Sequence, residues 1–383
     1  MRLMEWQGKV LLAKAGIPVP KGVMVESPEK AREAAASIGK PVMVKAQVRV
    51  GGRGKAGGIL KAEDASAAEK AAESLLGREI RGRKVAQVLV EEQIKAEKEL
   101  YIGFTVDHGE RRTVLMTSAA GGVDVEASAE GSMANSRLNP LLPLPGYVIR
   151  GVLNSAKIPR HMHPALIDLA GRLYKLYREQ DATLLEINPL LVLEDGSLMA
   201  VDSRIIIDDS AMGRHEDLAI LGSSYPDATV SEKLKLEYDF DYVELDPNGS
   251  IGLISTGAGG TMATIDLITR AGGRVINFAD VRTGMIGRDP QRLIAILDQL
   301  AKNPNFRILL VSIFAAITDL AVFAETLLAA LTARPVQAEV HVRLQGRNED
   351  EARKLLAEAG VITHSTLESA IENVIVSAKE ARK

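Results

Sequence analysis

From residue 251 to 381 the chain alternates five β-branched strand patterns with five helix patterns, and this rhythm limits its fold more than any other feature. Strands are expected at 251–256, 274–281, 307–314, 336–344 and 361–364. Helices are expected at 261–271, 290–302, 319–332, 349–359 and 367–381. Strict β-α-β alternation cannot close as hairpins, so it implies a parallel, doubly wound sheet with helices on both faces. Ser255-Thr256-Gly257-Ala258-Gly259-Gly260 follows the first of these strands and opens a helix, a switch-point position for a ligand loop. Its G-x-G-G spacing fails the dinucleotide fingerprint, so no nicotinamide cofactor is expected.

The first half is less regular. Ser27-Pro28-Glu29 starts a helix that Gly39 ends, because a serine N-cap and proline at N1 suit one end and glycine the other. A strand at 41–46, a helix at 63–76 and a strand at 85–92 follow. Segments 99–106 and 112–118 should pair as a hairpin around Asp107-His108-Gly109-Glu110. Residues 119–160 carry clustered Gly, Pro, Asn and Ser and read as irregular, and a helix is expected at 164–179. Two strands, ATLLEINPLLVLE and LMAVDSR, flank a loop read as Asp195-Gly196-Ser197. That loop sets Asn188 opposite Arg204 and Asp202 opposite Leu190, with Glu186, Asn188 and Asp202 on one face. The polar stretch 214–247 reads as a linker.

Bulk properties exclude more than they specify. With 383 residues the chain has room for two or three domains. A net charge of −3 argues against a general nucleic-acid binder, and the absence of cysteine removes disulfides, thiol catalysis and Cys-ligated metals. The N-terminal segment MRLMEWQGKVLLAKAG is amphipathic, with Glu5 and Lys9 inside it, and is neither a signal peptide nor a membrane span. A cytoplasmic protein is the expectation. The six histidines form no metal or nucleophile pattern.

Two motifs carry chemistry. Residues 44–58, VKAQVRVGGRGKAGG, place Lys45, Arg53 and Lys55 among five glycines. Glycines let backbone N–H groups approach phosphate oxygens, and the cations neutralise the remaining charge. A plain mobile basic loop has the same composition, and Ala56 stands where a P-loop needs Ser or Thr. In the second motif, Glu186-Ile187-Asn188-Pro189, Asn188 and Asp202 offer hard oxygen ligands on one face. Magnesium takes such donors while keeping several waters, although a turn contact and a strand-end cap explain them equally. Glu91 and Glu99 flank EQIKAEK at strand ends, where acids either take ribose or adenine groups or are simply solvated.

The motifs VKAQVRVGGRGKAGG, LVEEQIKAEKELYIG, AAGGVDVE, LLEINPLLV, VDSRIIIDDSA, TGAGGTMATIDLI and NFADV together resemble the β subunit of succinate–CoA ligase, almost end to end. The resemblance implies an α/β chain: an N-terminal ATP-grasp domain over 1–235, with a subdomain at about 21–97 inserted, and a C-terminal, doubly wound, flavodoxin-like parallel-sheet CoA-ligase domain over 245–383. It implies an acid–thiol ligase, carboxylate + CoA + NTP = acyl-CoA + NDP + phosphate. The reaction runs through a phosphohistidine on a partner α subunit that also carries the CoA site. Lys45, Gly52, Arg53, Gly54, Glu91, Ile94 and Glu99 match nucleotide-binding positions, and Ile94 contacts through its backbone. Asn188 and Asp202 match Mg2+ ligands, and Glu186 matches a catalytic glutamate beside the histidine. ATP or GTP is the implied nucleotide.

The second half departs from the family at the acid and phosphate positions Thr256, Ala316, Ile317 and Thr318. Thr256 replaces an asparagine, Arg282-Thr283-Gly284-Met285 replaces a glycine-rich loop, and Ala315-Ala316-Ile317 replaces Gly-Gly-Ile. A nearby family arginine is missing, and Asp319 would repel an anion. Arg282 could pair with an extra anionic group of the acid, fill the space that the glycine loop leaves, or point to solvent. The departures leave room for a related acid such as malate, or for a non-catalytic nucleotide-binding paralogue.

Overall fold

The computed structural model describes residues 1–122, 133–216, 218, 225–285 and 287–380. The end of the AAGGVDVE motif lies outside the described residues. The chain divides into two compact units, Met1–Asp227 and Ala228–Lys383.

In the first unit, strands β1 (Gly22–Val25), β2 (Val42–Ala46), β3 (Ile59–Ala62) and β6 (Val88–Glu92) form an antiparallel sheet of order β1-β6-β2-β3, beside the small hairpin β4 (Glu79–Ile80) and β5 (Arg83–Lys84). Helices Pro28–Ile38 and Ala65–Leu75 bring Ala31, Ala35, Ala68 and Ala72 against Val42, Val44, Val88 and Val90. Small alanine faces let these helices lie close on the sheet. The Ser27 hydroxyl accepts from Lys30 N, Asp64 caps the second helix, and Gly39 turns left-handed at φ 70°.

The second sheet has order β11-β10-β7-β8-β9, built from β7 (Lys98–Asp107), β8 (Arg112–Ser118), β9 (Met133–Leu138), β10 (Ala182–Val192) and β11 (Leu198–Ala200), with β12 (Arg204–Ile207) also paired to β10. Phe104, Leu173, Tyr174, Leu185 and Ile187 lie in its core, where the helix His163–Glu179 packs. The stretch 119–160 is more ordered than its composition implied. It contributes β9 and the helix Gly146–Ser155, whose Ile149, Val152 and Leu153 are buried at helical spacing. Strand β9 is largely polar; it pairs antiparallel with β8 along its whole length and buries Leu138 in the core.

The β10 register also needs correction. Glu186, not Asn188, lies opposite Arg204, and Leu190 pairs with Ala200 rather than Asp202. The turn is Glu194-Asp195-Gly196, closed by Leu193 N to Ser197 O at 2.9 Å. Gly196 has φ 78° and takes the last loop position, where a three-residue hairpin requires the left-handed conformation. A slip of two residues preserves side-chain facing, so Glu186 and Asn188 still leave the core side together. A one-residue register shift against β7 falls at Asn188-Pro189, and such bulges re-aim side chains.

In the second unit, β13 (Asp241–Glu244), β14 (Ile251–Ser255), β15 (Asn277–Asp280), β16 (Ile308–Ala315), β17 (Glu339–Gly346) and β18 (Ile362–His364) take the order β13-β15-β14-β16-β17-β18. β14 to β18 are parallel, as expected. β13 is an antiparallel edge, so the sheet is mixed. It comes from the stretch read as a linker, which also forms the helix Val230–Tyr238 with a Thr229/Glu232 capping box. Phe240 and Tyr242 are buried in alternation there, a strand signal that the surrounding aspartates obscured. Along β16, Leu309, Val311 and Ile313 enter one core while Ile308 and Leu310 enter the other, so the sheet is covered on both faces.

Candidate functional site

In the first unit, β2 carries Lys45 and runs into the glycine loop. The loop folds back through Ala56 N to Gly52 O at 3.2 Å and Gly58 N to Arg53 O at 2.8 Å. Gly52 has φ 68°, a conformation that favours glycine, and a Cβ there would stand 2.8 Å from the Arg81 guanidinium. Arg78 donates to the Ala56 and Gly57 carbonyls.

Lys45 and Arg53 are almost fully buried and held in a network of ion pairs. The Lys45 ammonium lies 2.5 Å from Glu91 Oε1 and 3.1 Å from Glu5 Oε1, and donates to the Val201 carbonyl at 2.6 Å. The Arg53 guanidinium lies 2.7 Å from Glu5 Oε2 and 3.0 Å from Asp202 Oδ1. Lys9 completes the network at 2.7 Å from Glu5 and 2.5 Å from Glu91. Burial alone would push the Glu5 carboxyl up, but Lys45, Lys9 and Arg53 hold it well below the usual carboxylate range. Burial opposes the charge on Lys45 as well, and Glu5 and Glu91 overcome it, so its ammonium titrates above the ordinary lysine value.

Lys45, Gly52, Arg53, Gly54, Asn188 and Asp202 line one cleft of about 210 Å3. Six positions spread over 158 residues of sequence therefore converge as expected. Asn188 clamps the Gly122 peptide, accepting from its N–H at 2.7 Å and donating to its carbonyl at 3.2 Å. Asp202 accepts from Ser203 N at 2.7 Å, and its side chain stays 31 % exposed. One carboxylate and one amide oxygen on the rim of a cationic cleft fit a magnesium ion that keeps most of its waters.

Glu186 borders a second, smaller cavity of about 80 Å3 together with Arg2, Arg53, Asn188, Asp202 and Arg204. Its carboxylate takes Arg204 at 2.9 Å and accepts from the Tyr101 hydroxyl at 3.1 Å. Burial and the neighbouring Glu186 push the Tyr101 phenol up, so it remains a donor. Crowding by Arg204 and Arg53, after burial, lowers the Arg2 guanidinium to about 10. Across this cavity three guanidiniums, Arg2, Arg53 and Arg204, face three carboxylates, Glu5, Glu186 and Asp202.

Three expected nucleotide positions lie differently. Glu91 is 1 % exposed with its oxygens on Lys9 and Lys45, so in this structure it serves Lys45 rather than the cleft. Glu99 is exposed on β7 beside Gly122, and Ile94 is half-buried between β6 and β7. Glu5 escaped the sequence reading, which took it and Lys9 only as interruptions of an apolar segment. The available signal was an i,i+4 acid–base pair that shares its helix face with the buried Leu12. Gly8 brings this helix in, since a Cβ there would meet Ser203 Oγ at 2.1 Å.

In the second unit the loops after β14, β15 and β16 bring three hydroxyls together at the switch-point edge. Thr318 Oγ1 donates to Thr283 Oγ1 at 3.1 Å, and Thr256 Oγ1 stands 3.5 Å from Thr283 Oγ1. Ala316 is exposed, as is Ile317 at 89 %. The idea that Arg282 offers a spare charge to a substrate does not hold here. Its guanidinium pairs with Asp239 at 3.1 Å and Asp241 at 3.0 Å. Asp319 caps its own helix by accepting from Ala321 N and Val322 N, so the helix N-terminus already has its anion.

No described helix is long and apolar enough to cross a membrane. An ATP-grasp domain model matches residues 2–192 and a CoA-ligase model matches residues 254–376. The chain is 38% identical over 390 residues to the succinate–CoA ligase [ADP-forming] subunit beta of Chloroflexus aurantiacus, covering 99% of both chains. It is 37% identical to that of Ignicoccus hospitalis, covering 100% of both. The solved ATP citrate lyase of Methanothrix soehngenii, in complex with citrate and coenzyme A, shares the fold at TM-score 0.77 over 99% of each chain with 20% identity. Such identity along both domains means that the chain belongs to the family of succinate–CoA ligase β subunits.

Proposed function

We propose that this chain is the nucleotide-binding β subunit of an NDP-forming succinate–CoA ligase and works with an α subunit that supplies the phosphohistidine and the CoA site. The observation that carries the reading is the convergence of Lys45, Arg53, Asn188 and Asp202 on one cleft beneath the glycine loop. Lys45 and Arg53 bind the phosphate chain of ATP or GTP, and the Gly52 and Gly54 backbone lets it approach. Asn188 and Asp202 would hold Mg2+, which offsets charge on the transferred phosphoryl group. Glu99 and the Ile94 backbone serve the nucleoside end, and Glu91 keeps Lys45 in place. Glu186, fixed by Arg204 and Tyr101, is set to orient the incoming histidine. Phosphoryl transfer asks the protein chiefly for positioning and charge, and these residues supply both.

Succinate is the acid in the names of the relatives. The hydroxyl cluster Thr256, Thr283 and Thr318 favours a second reading in which a related acid with its own hydroxyl, such as malate, is used. Purified chain with and without its α subunit, given CoA, NTP and each acid, tests both readings. Acyl-CoA should form only when both subunits are present. Turnover by this chain alone would overturn the two-subunit assignment, and a preference for succinate of roughly tenfold or more in kcat/KM would remove malate.

A further inference from the structure

Glu5 lies on the helix Glu5–Lys14, remote in sequence from the glycine loop, yet its carboxylate touches Lys45 through Oε1 and Arg53 through Oε2. Its burial is nearly complete, and Lys9 anchors it from the same helix. Three acids, Glu5, Glu91 and Asp202, face three cations, Lys9, Lys45 and Arg53, so the charges balance before anything binds. Asp202, which would hold the metal, would be shared between it and Arg53. Glu5 then remains to hold both cation heads. Lysine and arginine have long stems, and a shared carboxylate fixes both ends at once.

We propose that Glu5 is a positioning residue that spaces the Lys45 ammonium and the Arg53 guanidinium for a single polyphosphate chain. The proposal rests on the nucleotide reading of the cleft. It makes a counterintuitive demand on sign. Removing a buried anion leaves the site more positive, which by field alone strengthens phosphate binding. If position matters more than field, affinity falls.

The test is calorimetric binding of MgADP to the full chain. Wild-type protein should bind, and failure there refutes the nucleotide reading and this proposal with it. Given wild-type binding, Glu5→Gln should weaken it by about tenfold or more, the scale of a lost charge-assisted contact. Glu5→Asp should recover part of the loss. Leu12→Ala, a fully buried position on the same helix, serves as a destabilised control and should keep near-wild-type affinity. With the α subunit added, the Glu5→Gln defect should appear in the KM for nucleotide, and the alkaline limb of binding should move to lower pH as Lys45 loses a partner. If Glu5→Gln fails to fold, Glu5→Gln/Lys9→Met removes one charge of each sign and should still bind weakly. Unchanged or tighter binding in whichever of Glu5→Gln and Glu5→Gln/Lys9→Met folds, or an equal loss in Leu12→Ala, overturns the proposal.

Discussion

Lys9→Met isolates the energy of the buried network without touching the cleft. The Lys9 ammonium contacts Glu5 at 2.7 Å and Glu91 at 2.5 Å from a position 5% exposed. Removing one partner of a buried pair costs about 3–5 kcal/mol, because an uncompensated charge is left behind. Glu5 retains Lys45 and Arg53, and Glu91 retains Lys45, so the lower end, about 3 kcal/mol, applies here. In a unit of this size that corresponds to a fall in Tm of roughly 6–12 °C. Trp6 is the sole tryptophan and neighbours Lys9 in the helix, so its fluorescence reports the first unit selectively.

The same network sets the acid limb of stability. Glu5 titrates below its unfolded value, so its contribution is full above about pH 4.3 and is lost as pH falls toward the folded value. Lys9→Met brings the folded value closer to the unfolded one, and the acid limb becomes shallower. The double variant Glu5→Gln/Lys9→Met should cost less than the sum of the single changes, since it removes opposite charges together. A Tm within about 2 °C of wild type for Lys9→Met, or strict additivity in the cycle, refutes the reasoning.

Asp202→Asn should abolish the magnesium dependence of ADP binding while leaving the fold intact, since Arg53 keeps Glu5; calorimetry with and without Mg2+ decides it. In the second unit, His341 Nδ1 lies 3.0 Å from His364 Nε2, and burial followed by His341 pushes the His364 imidazole down. The unfolded chain therefore takes up that proton first, and stability should fall as pH drops below about 6.5. Protection of the β17 and β18 amides, corrected for intrinsic exchange, should show this slope, and His364→Gln should flatten it. Arg282→Gly should change stability by less than about 1 kcal/mol, because it removes exposed pairs with Asp239 and Asp241. The glycine also relieves a φ of 48°. It should leave the ranking of acids unchanged in the assembled enzyme; a reversed ranking would restore Arg282 to the acid site.

The parallel core of the second unit was legible because each strand and helix carries its own apolar period, a local property of the chain. Lys45, Arg53, Asn188 and Asp202 were legible for a related reason, since unusual residues crowd into short motifs there. The edge strand β13 and strand β9 were not, because each buries few side chains, Tyr242 in one and Leu138 in the other, among polar neighbours that obscure the period. The β10 register depended on which loop position needed a left-handed residue, and Gly196 settled it. Above all, only the tertiary structure decided that Glu5 reaches the site and that Lys9 anchors it from behind. The strength of a charge pair depends on distance and burial, and neither is a property of sequence spacing once the partners lie 40 to 82 residues away.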